Sequence, residues 1–180
     1  MRTFVAIELS NEVIIESIKN QQTELDLKAK PVAVKNLHFT LQFLGEVSEE
    51  IMEKVSSALK KIEFASFELT LKGIGAFPNP KNPRVIWVGT DKIGGDCLVE
   101  LSKKVGIALE SFGLKPDKPF KPHITIFRIK RREEDIRRKL EESKDVEFGI
   151  QKVSSIKLRK SQLTPDGPIY SDLVEVKGVN

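Results

Sequence analysis

The chain has 180 residues, 39 % of them hydrophobic, enough for the core of one domain or of two joined lobes. Its single cysteine, Cys97, excludes an internal disulfide, and no apolar stretch is long enough for a signal peptide or a membrane span, so a soluble, cytoplasmic protein is expected. Lys and Arg number 30 against 26 Asp and Glu, and the resulting net charge of +4 favours an anionic partner such as a nucleic acid.

Arg2 to Ile7 reads as a first strand, and Ser10 or Asn11 is placed to cap a helix carrying Val13, Ile14 and Ile18. A second strand from Asn36 to Leu44 alternates, with Leu37, Phe39, Leu41 and Phe43 on one face and Asn36, His38, Thr40 and Gln42 on the other. Gly45 ends it. Ser48-Glu49-Glu50 opens a helix with Ile51, Val55, Ala58, Leu59 and Ile62 at helical spacing, and a strand from Phe67 to Ile74 follows. This half has the order βαβαβ.

A Pro-rich turn, 77–83, leads into a second series in which Arg84 to Val88 resembles the first strand. Gly94-Gly95-Asp96 reads as an anion-receiving turn or, since it lacks a Walker pattern, as a turn and cap before a helix carrying Cys97, Leu98, Leu101, Val105, Ala108 and Phe112 and ending at Gly113. Cys97 lies on its apolar face and is expected in the core. Next comes His123-Ile124-Thr125-Ile126, then a charged helix around Ile136 and Leu140, a strand from Val146 to Arg159, and a hairpin or strand pair over Leu163 to Val176. Arg2 precedes His38 by nearly the distance that separates Arg84 from His123, which points to an internal duplication over about residues 2–74 and 84–160 with an extension over 161–180. The expected architecture is one bilobal α+β domain. Two pseudo-symmetric lobes, each a mainly antiparallel β-sheet with helices on its outer face, would enclose a catalytic cleft.

Both histidines of the chain sit in a His-x-Thr pattern on an alternating strand, so in each copy the imidazole and the hydroxyl project together from an apolar backing. Two imidazoles across a cleft suit in-line attack on phosphorus, one taking a proton from the nucleophile while the other gives one to the leaving oxygen. An ordinary His pKa of about 6.5 opens both tasks near neutrality. Thr40 and Thr125 can donate to the non-bridging phosphate oxygens. The two His lie on separate strands without carboxylates at metal-ligand spacing, which argues against a metal hydrolase.

The paired motifs, together with Arg2-Thr3-Phe4-Val5-Ala6-Ile7, Gln42-Phe43-Leu44-Gly45-Glu46, Pro122 before the second motif and Leu163-Thr164-Pro165-Asp166-Gly167-Pro168-Ile169-Tyr170, resemble the 2H phosphoesterases over nearly the whole chain. Within them the chain is similar to the LigT-like RNA 2′,3′-cyclic phosphodiesterases, also called 2′-5′ RNA ligases. The resemblance implies a monomeric enzyme without metal or cofactor, catalytic His38 and His123, phosphate-binding Thr40 and Thr125, and RNA partners with 2′,3′-cyclic phosphate or 5′-hydroxyl ends. It implies opening of the cyclic phosphate to a 2′-phosphate, with His38 as acid, His123 as base, and reversible 2′-5′ ligation at the same site. Arg128 matches the family's His-x-Thr-x-x-Arg, and its guanidinium suits the phosphate or the terminal nucleotide. Strict alternation places Arg128 with Ile124 and Ile126, away from the cleft, unless the strand bulges. Phe43 holds the equivalent place in the first motif.

Two other readings compete: an RNA-end-binding module that keeps the fold without turnover, and an enzyme for 2′-5′ oligonucleotides or small cyclic nucleotides. The basic run from Arg128 to Lys139 reads either as an RNA footprint or, with its interleaved acids, as a solvated salt-bridged helix. Trp87, Phe77, Phe120 and Tyr170 read as packing residues or as base-stacking surfaces.

Overall fold

The computed structural model describes residues 1–131 and 135–180. Strands β1 (Arg2–Glu8), β2 (His38–Glu46), β3 (Phe67–Phe77), β4 (Val85–Thr90), β5 (Ile124–Arg128), β6 (Glu147–Val153), β7 (Ser155–Thr164) and β8 (Gly167–Lys177) lie in the order β6-β3-β4-β5-β2-β1-β7-β8, with every neighbouring pair antiparallel. A single residue pair, Phe39 with Ile124, joins β2 to β5. The sheet therefore divides there into two four-stranded lobes, β1-β2-β7-β8 and β3-β4-β5-β6, in the expected α+β arrangement. The strand expected over 146–159 is two strands, because between Val153 and Ser155 the chain crosses from the edge of one lobe to the middle of the other.

Among the described residues four α-helices cover the sheet, and polar caps fix three of their starts. Asn11 Oδ1 accepts from the amides of Val13 and Ile14 at the head of α1 (Glu12–Leu25), and Ser48 caps α2 (Glu49–Leu59). Asp91 accepts from Gly94 N at the head of α3 (Lys92–Leu109). Gly94 and Gly95 thus lie inside the helix rather than in a turn before it. Their bareness lets α3 approach the sheet, since a Cβ on Gly94 would stand 2.3 Å from Leu69 Cβ. The helix runs into a 3-10 turn and ends at Gly113, whose φ of +74° is the left-handed cap a glycine accepts without strain. The short α4 (Arg137–Ser143) follows β5.

The lobes exchange helices. α1 leaves β1 but packs on β5 and β6 of the other lobe, where Gln22 Nε2 donates to the Ile126 carbonyl at 3.0 Å. α3 leaves β4 and packs under β2 as well as β3, with Ser102 Oγ donating to the Leu41 carbonyl at 3.2 Å. One continuous apolar core results, centred on fully buried Phe39, Leu71, Ile86, Leu98 and Ile124. Cys97 is only half-buried, at the margin of that core rather than within it.

Candidate active site

Each His-x-Thr strand departs from simple alternation at the same point. In β2, Thr40 faces Ala6 and Gln42 faces Val5, leaving Leu41 without a partner on β1. In β5, Thr125 faces Trp87 and Phe127 faces Ile86, leaving Ile126 without one on β4. Both bulges fall three residues after the histidine and reverse the faces of the residues that follow. Gln42, expected beside His38, therefore turns under the sheet and donates from Nε2 to the Leu114 carbonyl at 3.1 Å. Phe43, expected in the core, is 47 % exposed, with the Arg2 guanidinium 5.1 Å from its ring centre. The second bulge carries Arg128 into the cleft.

The imidazoles are held alike. His38 Nδ1 lies 2.7 Å from the Asn36 carbonyl and His123 Nδ1 lies 2.6 Å from the Lys121 carbonyl. A carbonyl can only accept, so each Nδ1 carries a proton and each neutral ring presents a bare Nε2. At His38 that atom accepts from the Thr40 hydroxyl at 2.9 Å. Aromatic neighbours fix the rings: Phe4 and Tyr170 lie 5.0 and 5.4 Å from His38, centre to centre, and Phe77 lies 5.1 Å from His123.

His38, Thr40, His123, Thr125 and Arg128 line one cavity of about 540 Å³ between the lobes. Burial depresses the His38 pKa to about 4, against the help of the Asn36 carbonyl, and Arg159, Arg128 and His123 add repulsion. Burial also lowers His123, with Arg128 again opposing its charge. An anion in the cavity would reverse these repulsions, so the site is electrostatically prepared for one. Tyr170, half-buried beside His38, lies on the cavity wall, and burial raises its pKa.

The other sequence expectations divide. Arg128, Lys130 and Arg131 line the cavity, whereas Arg137 and Arg138 are ion-paired with Asp135 and Glu142 on the exposed side, and 132–134 lie outside the described residues. Phe77 backs His123, and Trp87 packs 5.3 Å from Phe77 outside the cavity lining. Lys28 and Lys30, unremarked in the sequence, also line the cavity, as does Asp166 from the Leu163–Tyr170 segment. Loop 28–33 carries no motif, and it arrives through tertiary contacts: a Pro31–Phe127 bridge and Val32 N donating to the Ile126 carbonyl at 2.9 Å.

The sequence model of the family described as LigT like Phosphoesterase matches residues 8–87 and 90–170. The chain belongs to this family. It is 39 % identical over 175 residues to the RNA 2′,3′-cyclic phosphodiesterase of Archaeoglobus fulgidus, covering 96 % of this chain and 98 % of that one. It is 44 % identical over 154 residues to the protein of the same name from Aeropyrum pernix, covering 84 % and 87 %. The solved structure of a Thermus thermophilus protein matches with a TM-score of 0.83 at 31 % identity, over 98 % of this chain and 97 % of that one. Escherichia coli LigT complexed with 3′-AMP matches with a TM-score of 0.80 at 27 % identity, over 99 % and 98 %. This LigT-like phosphoesterase is a hydrolase of the cyclic phosphodiesterase class. None of its described helices is long and apolar enough to cross a membrane.

Proposed function

We propose that this phosphoesterase opens the 2′,3′-cyclic phosphate at an RNA end to leave a 2′-phosphate, by acid-base catalysis between His38 and His123 and without a metal. The observation that carries the reading is the convergence of two equivalent His-x-Thr strands on one cavity, each ring anchored through Nδ1 so that Nε2 is the reacting atom. Relatives named RNA 2′,3′-cyclic phosphodiesterase supply the substrate class. The cavity's polar lining is imidazole, hydroxyl, guanidinium, ammonium and the Asn36 carboxamide with one carboxylate, Asp166, a donor set suited to an anion rather than to a metal ion. The two family-model segments, 8–87 and 90–170, support a single bilobal domain arising by internal duplication. In this reading the chain acts as a monomer.

In the hydrolytic direction His123 Nε2 removes a proton from water as its oxygen attacks phosphorus. The phosphorus bond to the 3′ oxygen breaks, and protonated His38 delivers its proton to that oxygen. The bound phosphodiester anion supplies the counter-charge that lets the buried His38 hold a proton. Thr40, Thr125 and Arg128 hold the non-bridging oxygens as charge builds on them. Substituting an RNA 5′-hydroxyl for water gives a 2′-5′ linkage through the same transfers, and microscopic reversibility permits its cleavage.

The test follows an RNA oligomer ending in a 2′,3′-cyclic phosphate, incubated with chelator and either wild type, His38→Ala or His123→Ala, with the product end identified. Conversion to a 2′-phosphate by wild type alone is expected. A 3′-phosphate product, turnover by either variant at the wild-type rate, or activity abolished by the chelator would overturn the mechanism. Tight end-binding without turnover would replace the enzyme with a binding module.

A further inference from the structure

The charge of this protein is not spread evenly. Five cationic side chains, Lys28, Lys30, Arg128, Lys130 and Arg131, line the cavity with a single carboxylate, Asp166. Removing these from the chain's 30 cations and 26 anions leaves 25 of each. The whole net charge of +4 is therefore accounted for at one opening, and the remainder of the molecule is balanced. Gathering like charges costs folding energy that a dispersed arrangement avoids, and a polyanion repays it.

Arg128 lines the cavity together with both imidazoles and opposes their protonation, so it is assigned to the reacting phosphate. The other four are exposed and sit outside that centre, on the loop after α1 and just beyond the end of β5. Among the described residues none of the four is ion-paired with a carboxylate. The two segments are clamped side by side: buried Gln22 donates from Nε2 to both the Val32 and the Ile126 carbonyls at 3.0 Å, and Lys30 Nζ donates to the Asp166 carbonyl at 3.1 Å. These cations thus form a fixed wall rather than a loose basic tail. The opposite shoulder of the second lobe, by Trp87, mixes its charges, with Lys92 paired to Asp96 and Lys144 to Glu141.

We propose that Lys28, Lys30, Lys130 and Arg131 hold the backbone phosphates of the RNA strand 5′ of the reacting end, so that the enzyme acts on polynucleotide ends in preference to nucleoside cyclic phosphates. The proposal rests on the cyclic phosphodiesterase reading and adds the direction in which the strand leaves the cleft. Arg128 and the two histidines serve both substrates. Only the polynucleotide reaches the other four.

Wild type and the combined variant Lys28→Gln, Lys30→Gln, Lys130→Gln, Arg131→Gln are compared on a nucleoside 2′,3′-cyclic monophosphate and on a ten-residue RNA with the same end, at 50 and 200 mM salt. With about 0.7 of a logarithmic unit of salt dependence per phosphate contacted on a single strand, three contacts give wild type a fall of about 20-fold in kcat/KM on the oligomer over that range. The variant is expected to lose roughly 10-fold or more on the oligomer at low salt, to lose most of that salt dependence, and to keep mononucleotide turnover within about twofold. A charge-matched variant, Lys54→Gln, Lys61→Gln, Lys103→Gln, Lys115→Gln, is expected to retain the wild-type preference for length. Equal losses on both substrates, or no loss on the oligomer, would overturn the strand wall while leaving the cyclic phosphodiesterase reading intact. Absence of turnover by wild type on both substrates would overturn that reading and the wall together.

Discussion

The β2 and β5 half-sites share a motif, a bulge and a backbone anchor, yet they surround their histidines differently. His38 is packed between Phe4 and Tyr170, bonded to Thr40, and depressed to about pKa 4, whereas His123, also lowered by burial, has Phe77 as its one close aromatic partner among the described residues. Five residues after the histidine, one strand presents Phe43 and the other Arg128. A repeated scaffold has therefore been given unequal electrostatics. Burial holds His38 neutral in the free site, so its role as acid depends on the charge of the bound phosphodiester rather than on its intrinsic basicity.

The two rings carry the largest expected effects. His38→Ala and His123→Ala are each expected to lower kcat by about 10² to 10⁴, with the double variant falling short of the product of the two losses because they serve one concerted transfer. Full additivity in single-turnover rates would show that they act in separate steps.

Stability against pH reads the burial of His38 directly. Its folded pKa lies below the unfolded value, so the unfolded chain binds the extra proton between those values, and stability present above pH 6.5 is lost as pH falls toward 4. The loss is about 3 kcal/mol from this group. Denaturant unfolding at pH 7.5 and pH 4 should show wild type losing that much more than His38→Gln, the variant serving to subtract the carboxylates. Equal losses would mean that His38 is not held neutral by the fold.

Making the second half-site resemble the first, Arg128→Phe removes a charged donor from the phosphate and is expected to cost about 1.5 to 3 kcal/mol of transition-state binding, roughly 10- to 150-fold in kcat/KM. The reciprocal Phe43→Arg places a cation outside the cavity lining and should not restore it. The smallest effect separates the threonines. Thr40→Val and Thr125→Val each lose a hydroxyl worth about 1 kcal/mol, but only Thr40 bonds an imidazole, so only Thr40→Val should shift the pH profile.

How far the site was legible follows from where these differences arise. Period-two alternation placed His38 with Thr40 and His123 with Thr125, and Asn11, Ser48 and Gly113 marked helix ends, because those signals are local. Alternation failed just past Leu41 and Ile126, exchanging the expected faces of Gln42 and Phe43 and bringing Arg128 inward. A bulge is set by the partner strand's register, which neighbouring residues do not encode. Lys28 and Lys30 were illegible for a related reason: the Pro31–Phe127 bridge and the Val32–Ile126 hydrogen bond, between segments nearly a hundred positions apart, bring them to the cavity.

The exchange of helices between lobes has a consequence for how this protein is made. The underside of β2 has no cover until α3 has been synthesised through Leu109, and α1 waits for β5 and β6 before its apolar face finds a home. A nascent chain ending in the turn at 77–83 would display both faces to solvent, and contacts this distant in sequence form late. Neither lobe can finish alone, so the protein is committed to folding as one unit, and a truncation anywhere before β6 should yield aggregate rather than half an enzyme.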